Sequence, residues 1–247
     1  KYVPAFAARI LQGNEREDRP AYFNLKGVAI GDALIDPIIQ RSIKPDQAYW
    51  NGLLSLNQLE QVRQIQAQCI RQIQMGNTRQ SNTPCNEMKA FLFLGSGIIN
   101  IYDVRRFDPT YNKTLLETYL NQKAVKESLH VAQINPIFQP CSRQVVYVSM
   151  NNDILISFKH FIPYLSKKIK VLLYNGNFDL QDGPVGTEHF LKSLGIPEIT
   201  NAPRNLWFVN DNVAGYEHRA HENFTFLVVH GAGHFVPHDQ PEASLDM

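Results

Sequence analysis

Phe226-Leu227-Val228-Val229-His230-Gly231-Ala232-Gly233-His234 is a short apolar run that breaks at a glycine and ends on a histidine. Upstream, Val171-Leu172-Leu173-Tyr174 runs in the same way into Asn175-Gly176-Asn177-Phe178-Asp179. Apolar runs of this length, closed by turn residues, read as buried strands. Working outward, Leu206 to Val209 and Leu25 to Ile30 read as further strands, the latter ended by Gly31-Asp32 and closed off by Asp36-Pro37. Between them, Tyr2 to Leu11 (with Phe6 and Ile10 at i,i+4), Asp153 to Ser166 and Thr187 to Leu194 read as helices, the last stopped by Gly195. Strands alternating with helices predict an α/β chain with a mostly parallel sheet.

The middle of the chain has a different rhythm. Leu56, Leu59, Val62, Ile65, Cys69, Ile70 and Ile73 recur at spacings of three and four, an amphipathic helix whose other face is rich in Gln. Gly76 to Pro84 reads as a polar loop, Met88 to Leu94 as another apolar segment, and Lys123 to His130 as a helical stretch. Strand signals are sparse here. The expected organisation is therefore a core in two parts, residues 1–37 and 131–247, with a helical cap insertion over 38–130. The opening helix lacks an N-cap and Leu245-Asp246-Met247 stops in mid-helix, so both ends read as cut from something longer.

Composition excludes several classes. The 247 residues are 44% hydrophobic and 11% aromatic, enough for one sizeable core. No run of eighteen apolar residues occurs, so neither a membrane span nor a signal peptide is expected. Formal net charge is +1, with Lys and Arg scattered, which gives no support for nucleic-acid binding. No internal repeat is present.

The chemistry-bearing residues sit just past the two quoted strands. In open α/β sheets, reactive groups gather beyond the carboxyl ends of strands. Asp179 on one such turn and His234 on a later one follow the acid-then-histidine order of an α/β-hydrolase triad. There a histidine takes the proton of a nucleophile while a carboxylate fixes its tautomer and stabilises the imidazolium. The residues alone leave a plainer reading open, in which Asp179 is a turn residue and His234 has no catalytic role. His230, His234 and His238 have helical spacing, but Gly231, Gly233 and Pro237 lie among them, so no zinc site is expected. His218 and His221 read as part of a solvated loop, and Gly231-Ala232-Gly233 lacks the third glycine of a dinucleotide fingerprint. No metal and no cofactor is expected. No Gly-x-Ser-x-Gly occurs in 1–247, and Gly95-Ser96-Gly97 has the wrong spacing. Either the chain is not a serine hydrolase, or its serine lies before Lys1.

Taken together, these motifs resemble the serine carboxypeptidases, within them the vitellogenic carboxypeptidase-like branch. Lys1-Tyr2-Val3-Pro4 looks like the segment that follows the family's nucleophile motif, and Asn24 to Gly31 like its next strand. Asp179 falls on the family's catalytic acid, and His234, in Gly231-Ala232-Gly233-His234-Phe235-Val236-Pro237-His238-Asp239-Gln240-Pro241, on its catalytic histidine. The resemblance implies an α/β-hydrolase sheet of which this chain supplies only the later strands, and release of C-terminal amino acids from peptides through an acyl-enzyme. Its serine, the glutamate before it and the oxyanion-hole segment would all precede Lys1, so the chain alone is expected to be inactive. Phe235 stands where relatives often carry Met or Glu beside the pocket for the leaving residue, and is the expected substrate contact. Expected partners are peptides with a free C-terminus and an N-terminal portion bearing the nucleophile, with a homodimer left open and neither nucleic acid nor membrane implied. Two alternatives remain: a catalytically dead homologue acting as a scaffold, and an acyltransferase on the same site. A simple esterase is a weaker third.

The chain has 3 Cys. Spacing allows Cys69 and Cys85 to be either a disulfide or two buried thiols. The sequons at Asn112 and Asn223, together with the resemblance to secreted or lysosomal and vacuolar enzymes, point to the disulfide and to glycosylation at both asparagines. The resemblance further implies that the mate of Cys141 lies before Lys1.

Overall fold

The computed structural model describes residues 1–97, 100–107, 111–131, 137–140, 150 and 153–247, without the side chains of 78–82. Its sheet is built from the apolar runs. β1 (Gly27–Gly31) pairs in parallel with β2 (Lys170–Gly176), and β2 with β5 (Phe224–Val229). β5 then pairs antiparallel with β4 (Asn212–His221), and β4 with β3 (Arg204–Val209), giving the order β1-β2-β5-β4-β3. β5 is apolar except for the half-buried Thr225, and its other five residues are buried, as a central strand requires.

One face of the sheet is covered by α1 (Tyr2–Asn14), α8 (Phe161–Ser166) and α9 (Pro184–Lys192). Ala7, Ala8, Ile162, Leu165 and Phe190 pack there on Ile30, Val171, Leu173, Phe224 and Phe226. Leu227 and Val229 point to the other face, against Val236 of α11 (Val236–Asp239) and Ala243 of α12 (Pro241–Asp246). The rest of that face is an open groove of about 730 Å³ lined by Ala29, Leu172, Trp207, Arg219 and Thr225. A four-residue helix, α10 (Pro197–Thr200), leads into β3.

Among the described residues, six helices lie between β1 and residue 130. Asp36 accepts from Ile39 N–H to cap α2 (Pro37–Ser42), and α3 (Lys44–Trp50) follows at once. α4 (Leu56–Gln74) opens with a Ser55–Gln58 capping box, which satisfies two orphan donors reciprocally. It packs against α5 (Thr78–Ser96) through Leu59, Val62, Met88 and Leu92, and the Cys69–Cys85 disulfide joins the two helices. α6 (Thr114–Leu120) and α7 (Lys123–Ser128) complete the series. No helix among the described residues is long and apolar enough to cross a membrane.

Four local expectations are corrected. The sheet is mixed rather than mostly parallel, because Asn210 and Asp211 adopt left-handed φ of +49° and +63° and fold β3 back on β4. His218 and His221 therefore lie on a strand, not in a solvated loop; His218 is half-buried and stacks on Phe226 at 5.7 Å. The polar stretch after Gly76 is not a loop: α5 begins at Thr78 and carries Pro84 within it, at the loss of one backbone hydrogen bond. Cys85, Met88 and Leu92 keep one helical face turned to α4, which outweighs that loss. Finally, Asp153 to Ser166 is a 3-10 turn (Asp153–Leu155) and then α8, with the intervening Phe158 N–H donating to Ile35 O at 2.9 Å instead of to a helical carbonyl.

The Cys69–Cys85 bridge closes a loop of sequence separation 16. Replacing both cysteines by alanine is expected to cost about 3 kcal/mol of stability in the chain-entropy account. Denaturant titration of the oxidised protein against this variant measures the difference, and an unchanged midpoint would contradict it.

Candidate active site

β2 and β5 are parallel neighbours in a register that pairs Gly176 with Val229. Both strands therefore end at one level, and the turns after them lie side by side. Phe178 N–H donates to Ala232 O at 2.9 Å, Asn177 N–H to Val229 O at 3.1 Å, and Gly231 N–H to Asn177 Oδ1 at 3.0 Å. This approach needs glycine at 176, since a Cβ there would run into the carbonyls of Ala232 and Gly233.

A third strip of chain joins the two turns. Tyr102 O accepts from His234 N–H at 2.6 Å, Ile101 O from Leu180 N–H at 3.1 Å, and Val104 N–H donates to Phe178 O at 3.0 Å. The strip is itself fixed by buried Asp103, which accepts from Arg105 Nε and Nη2 at 2.9 and 2.8 Å. Below His234, Asp239 Oδ2 accepts from Gly233 N–H at 2.8 Å and from the Tyr111 hydroxyl at 2.9 Å.

Asp179 is fully buried at the centre of this construction. Its Oδ1 accepts from Gln181 N–H at 2.7 Å and its Oδ2 from Asp182 N–H at 3.2 Å. His234 Nδ1 lies 2.8 Å from Asp179 Oδ2. Three donors converge on the carboxyl, which suits a carboxylate and places the imidazole proton on Nδ1. Nε2 is then left as the basic nitrogen. Helix α3 supports the turn from behind: Gln47 Nε2 donates to Asp179 O at 2.8 Å, and the buried Lys44 ammonium donates to Gln181 O.

Burial opposes a charged imidazolium at His234, yet the Asp179 hydrogen bond and charge override it, so its pKa stands above the ordinary histidine value. Burial pushes the Asp179 carboxyl up, against the hydrogen bond and charge of His234 that pull it down. Asp32 completes the corner. It is the only other residue that, among the described residues, groups with Asp179 and His234 closely enough to suggest a metal cage, with donor atoms within 4.8 Å of one another. Since His234 Nδ1 is spent on Asp179, the set reads as a hydrogen-bonded carboxylate–imidazole pair with a neighbouring acid rather than as a metal cage.

The other sequence expectations fall as follows. The Phe235 ring packs 4.4 Å from Tyr111, 5.6 Å from His234 and 6.0 Å from Tyr102, with the Lys113 ammonium 5.7 Å above it. Asn112 is exposed, and its Oδ1 accepts from Thr114 N–H at 3.0 Å. Asn223 is half-buried in the tight link between β4 and β5, where its carbonyl accepts from Val171 N–H at 2.7 Å. Cys141 lies outside the described residues. Sequence reasoning missed Asp32, Asn175, Tyr102 and Asp239. Asp32 carried a usable signal, an acid directly after a strand, whereas Tyr102 acts through its carbonyl, which no residue type advertises.

An acid hydrogen-bonded to a histidine on adjacent turns past parallel strands is an arrangement also met in α/β-hydrolases. In fold the chain is similar to a solved structure of a prohormone-processing carboxypeptidase, Kex1Δp from Saccharomyces cerevisiae, with a TM-score of 0.79 over 98% of this chain and 58% of that one, at 22% identity. The chain belongs to the serine carboxypeptidase family, whose family model matches residues 1–247. It is 35% identical over 262 residues to the "Probable serine carboxypeptidase CPVL" of Dictyostelium discoideum, covering 100% of this chain and 50% of that protein. It is 34% identical over 251 residues to "Serine carboxypeptidase-like 50" of Arabidopsis thaliana, covering 100% and 55%. The chain thus spans about half the length of the curated relatives it matches.

His234 is expected to titrate above the ordinary histidine value, and in Asp179→Asn to fall below it, because burial then acts with little opposition. NMR titration of the imidazole resonances measures both. A His234 pKa that Asp179→Asn leaves in place would show that the pair is not coupled.

Proposed function

We propose that the whole protein is a serine-type carboxypeptidase that releases single amino acids from the C-terminus of peptides, with His234 as general base and then acid and Asp179 as the carboxylate that orients it. The observation that carries this reading is the 2.8 Å Asp179–His234 hydrogen bond at the ends of neighbouring parallel strands. The hydroxyl of a serine in an N-terminal portion attacks the last peptide carbonyl while His234 Nε2 takes its proton. His234 then gives that proton to the departing amine of the terminal amino acid. Water, deprotonated by the same nitrogen, resolves the acyl-enzyme and frees the shortened peptide.

Two observations support a nucleophile arriving from outside the chain. Ser96, in the one Gly-Ser-Gly of the sequence, ends α5 and its hydroxyl is bonded to Leu92 O. β1 also has no partner on its outer edge among the described residues, which leaves a parallel edge for an N-terminal strand. The Cys69–Cys85 disulfide supports an oxidising compartment, secreted or lysosomal and vacuolar.

In full-length protein, His234→Ala and Asp179→Asn are each expected to lower kcat on an N-blocked dipeptide by about a thousandfold or more with folding intact. An amidated C-terminus on the same substrate should slow wild-type release. Activity that survives His234→Ala would end the assignment. Residues 1–247 alone are expected to release no amino acid from that dipeptide; measurable release would reveal a nucleophile within them.

A further inference from the structure

Asp32 has no part in the reaction as described, yet the turn that carries Asp179 is hung from it. It stands one residue past Gly31 at the end of β1 and is 8% exposed. Its φ of +43° is left-handed, a conformation that Asp and Asn tolerate better than most side chains, and its N–H donates to Tyr174 O at 2.8 Å. Asp32 Oδ1 accepts from Gly176 N–H at 3.2 Å and from Asn175 Nδ2 at 3.3 Å. Asn175 Nδ2 also donates to Asp182 O at 2.7 Å. Asp32 therefore holds the start of the 176–182 turn directly and its end through one carboxamide. Asp179 lies between these two anchors.

Two buried carboxyls this close do not both carry charge. The turn's N–H donors and His234 are committed to Asp179, so Asp179 is the anion and Asp32 its uncharged neighbour. Burial, and then the charge of Asp179, raise the Asp32 carboxyl well above the usual carboxylate range, against the bonds from Gly176 and Asn175. The other titratable groups at this corner are Asp182 on the same turn, Tyr174 on β2, His234 on the turn after β5 and Lys44 on α3.

We propose that Asp32 is a positioning residue for the Asp179–His234 pair, fixing through Gly176 and Asn175 the turn that aims Asp179 at Nδ1. The proposal rests on reading that pair as the base and its orienting acid. Asp32 itself touches no reacting atom.

The test is made in full-length protein. Asp32→Gly removes the carboxyl while suiting the left-handed backbone, and Asp32→Asn keeps an acceptor for Gly176 N–H. In Asp32→Gly, kcat is expected to fall about 10- to 100-fold with KM little changed, and the His234 imidazole to titrate lower than in wild type. Asp32→Asn should restore both. In an Asp179→Asn background, Asp32→Gly should cause no further loss, since its effect passes through Asp179. A merely structural role would lower the melting temperature of Asp32→Gly but leave the His234 titration and kcat of the folded enzyme unchanged, and that result overturns the proposal. The titration needs no turnover, so an inactive wild-type protein would sink the functional reading and still leave this inference decided by His234. If Asp32→Gly does not fold, Asp32→Ser, too short to reach Gly176 N–H, is read by the same titration, with the same outcome overturning the proposal.

Discussion

The hydrogen bond between Asp179 and His234 depends on two strands ending together. β2 and β5 are adjacent, parallel and registered so that Gly176 faces Val229. From that level each chain has only three to five residues in which to bring its side chain to the other. The turns interlock through Phe178 and Ala232, which closes the gap but forbids a side chain at 176. A shift of register by one residue would turn each strand's side chains to the opposite face and separate the two turns. The apolar burial of β5 on both faces is what makes such a shift unfavourable, so core packing and site geometry are set by the same residues.

Around this pair the charges are arranged so that one anion is held and its neighbours are kept from competing. Asp179 collects three donors, while Asp32 receives two and sits among groups that favour its neutral form. Lys44, fully buried, spends its ammonium on Gln181 O; burial lowers its pKa, and the charge of Asp182 works the other way. The strip from Ile101 to Val104 adds backbone bonds to both turns without contributing a titrating side chain to the pair. Such a fixed dipolar frame lets an imidazolium form without rearrangement of its surroundings, which is the physical basis of preorganised catalysis.

The parts of this fold that were legible in the sequence are those whose residues report burial directly. β1, β2 and β5 were visible as apolar runs, and α4 through its three-and-four spacing. Asp179 and His234 could be singled out because strand-end turns carry few residues of that chemistry. β4 was not legible, since Glu217, His218 and Arg219 interrupt any apolar alternation and the strand is held by pairing on both sides. The start of α5 was hidden by Pro84 and a polar first turn, which the disulfide and the α4 contact overrule. The bracing of the site was illegible for another reason. Tyr102 and Gly176 contribute backbone groups, and Asn175 and Asp32 act through contacts between residues 143 and 144 positions apart in sequence.

Activation by Asp179 and His234 of a serine that reaches them from outside residues 1–247 is the step on which the proposed mechanism turns. Its most direct measurement is the site of covalent labelling of full-length protein by a fluorophosphonate, read by peptide mass spectrometry. One label per protein is expected, on a serine N-terminal to Lys1, and it should disappear in His234→Ala. A label on any serine within 1–247, or one that survives His234→Ala undiminished, would contradict the mechanism.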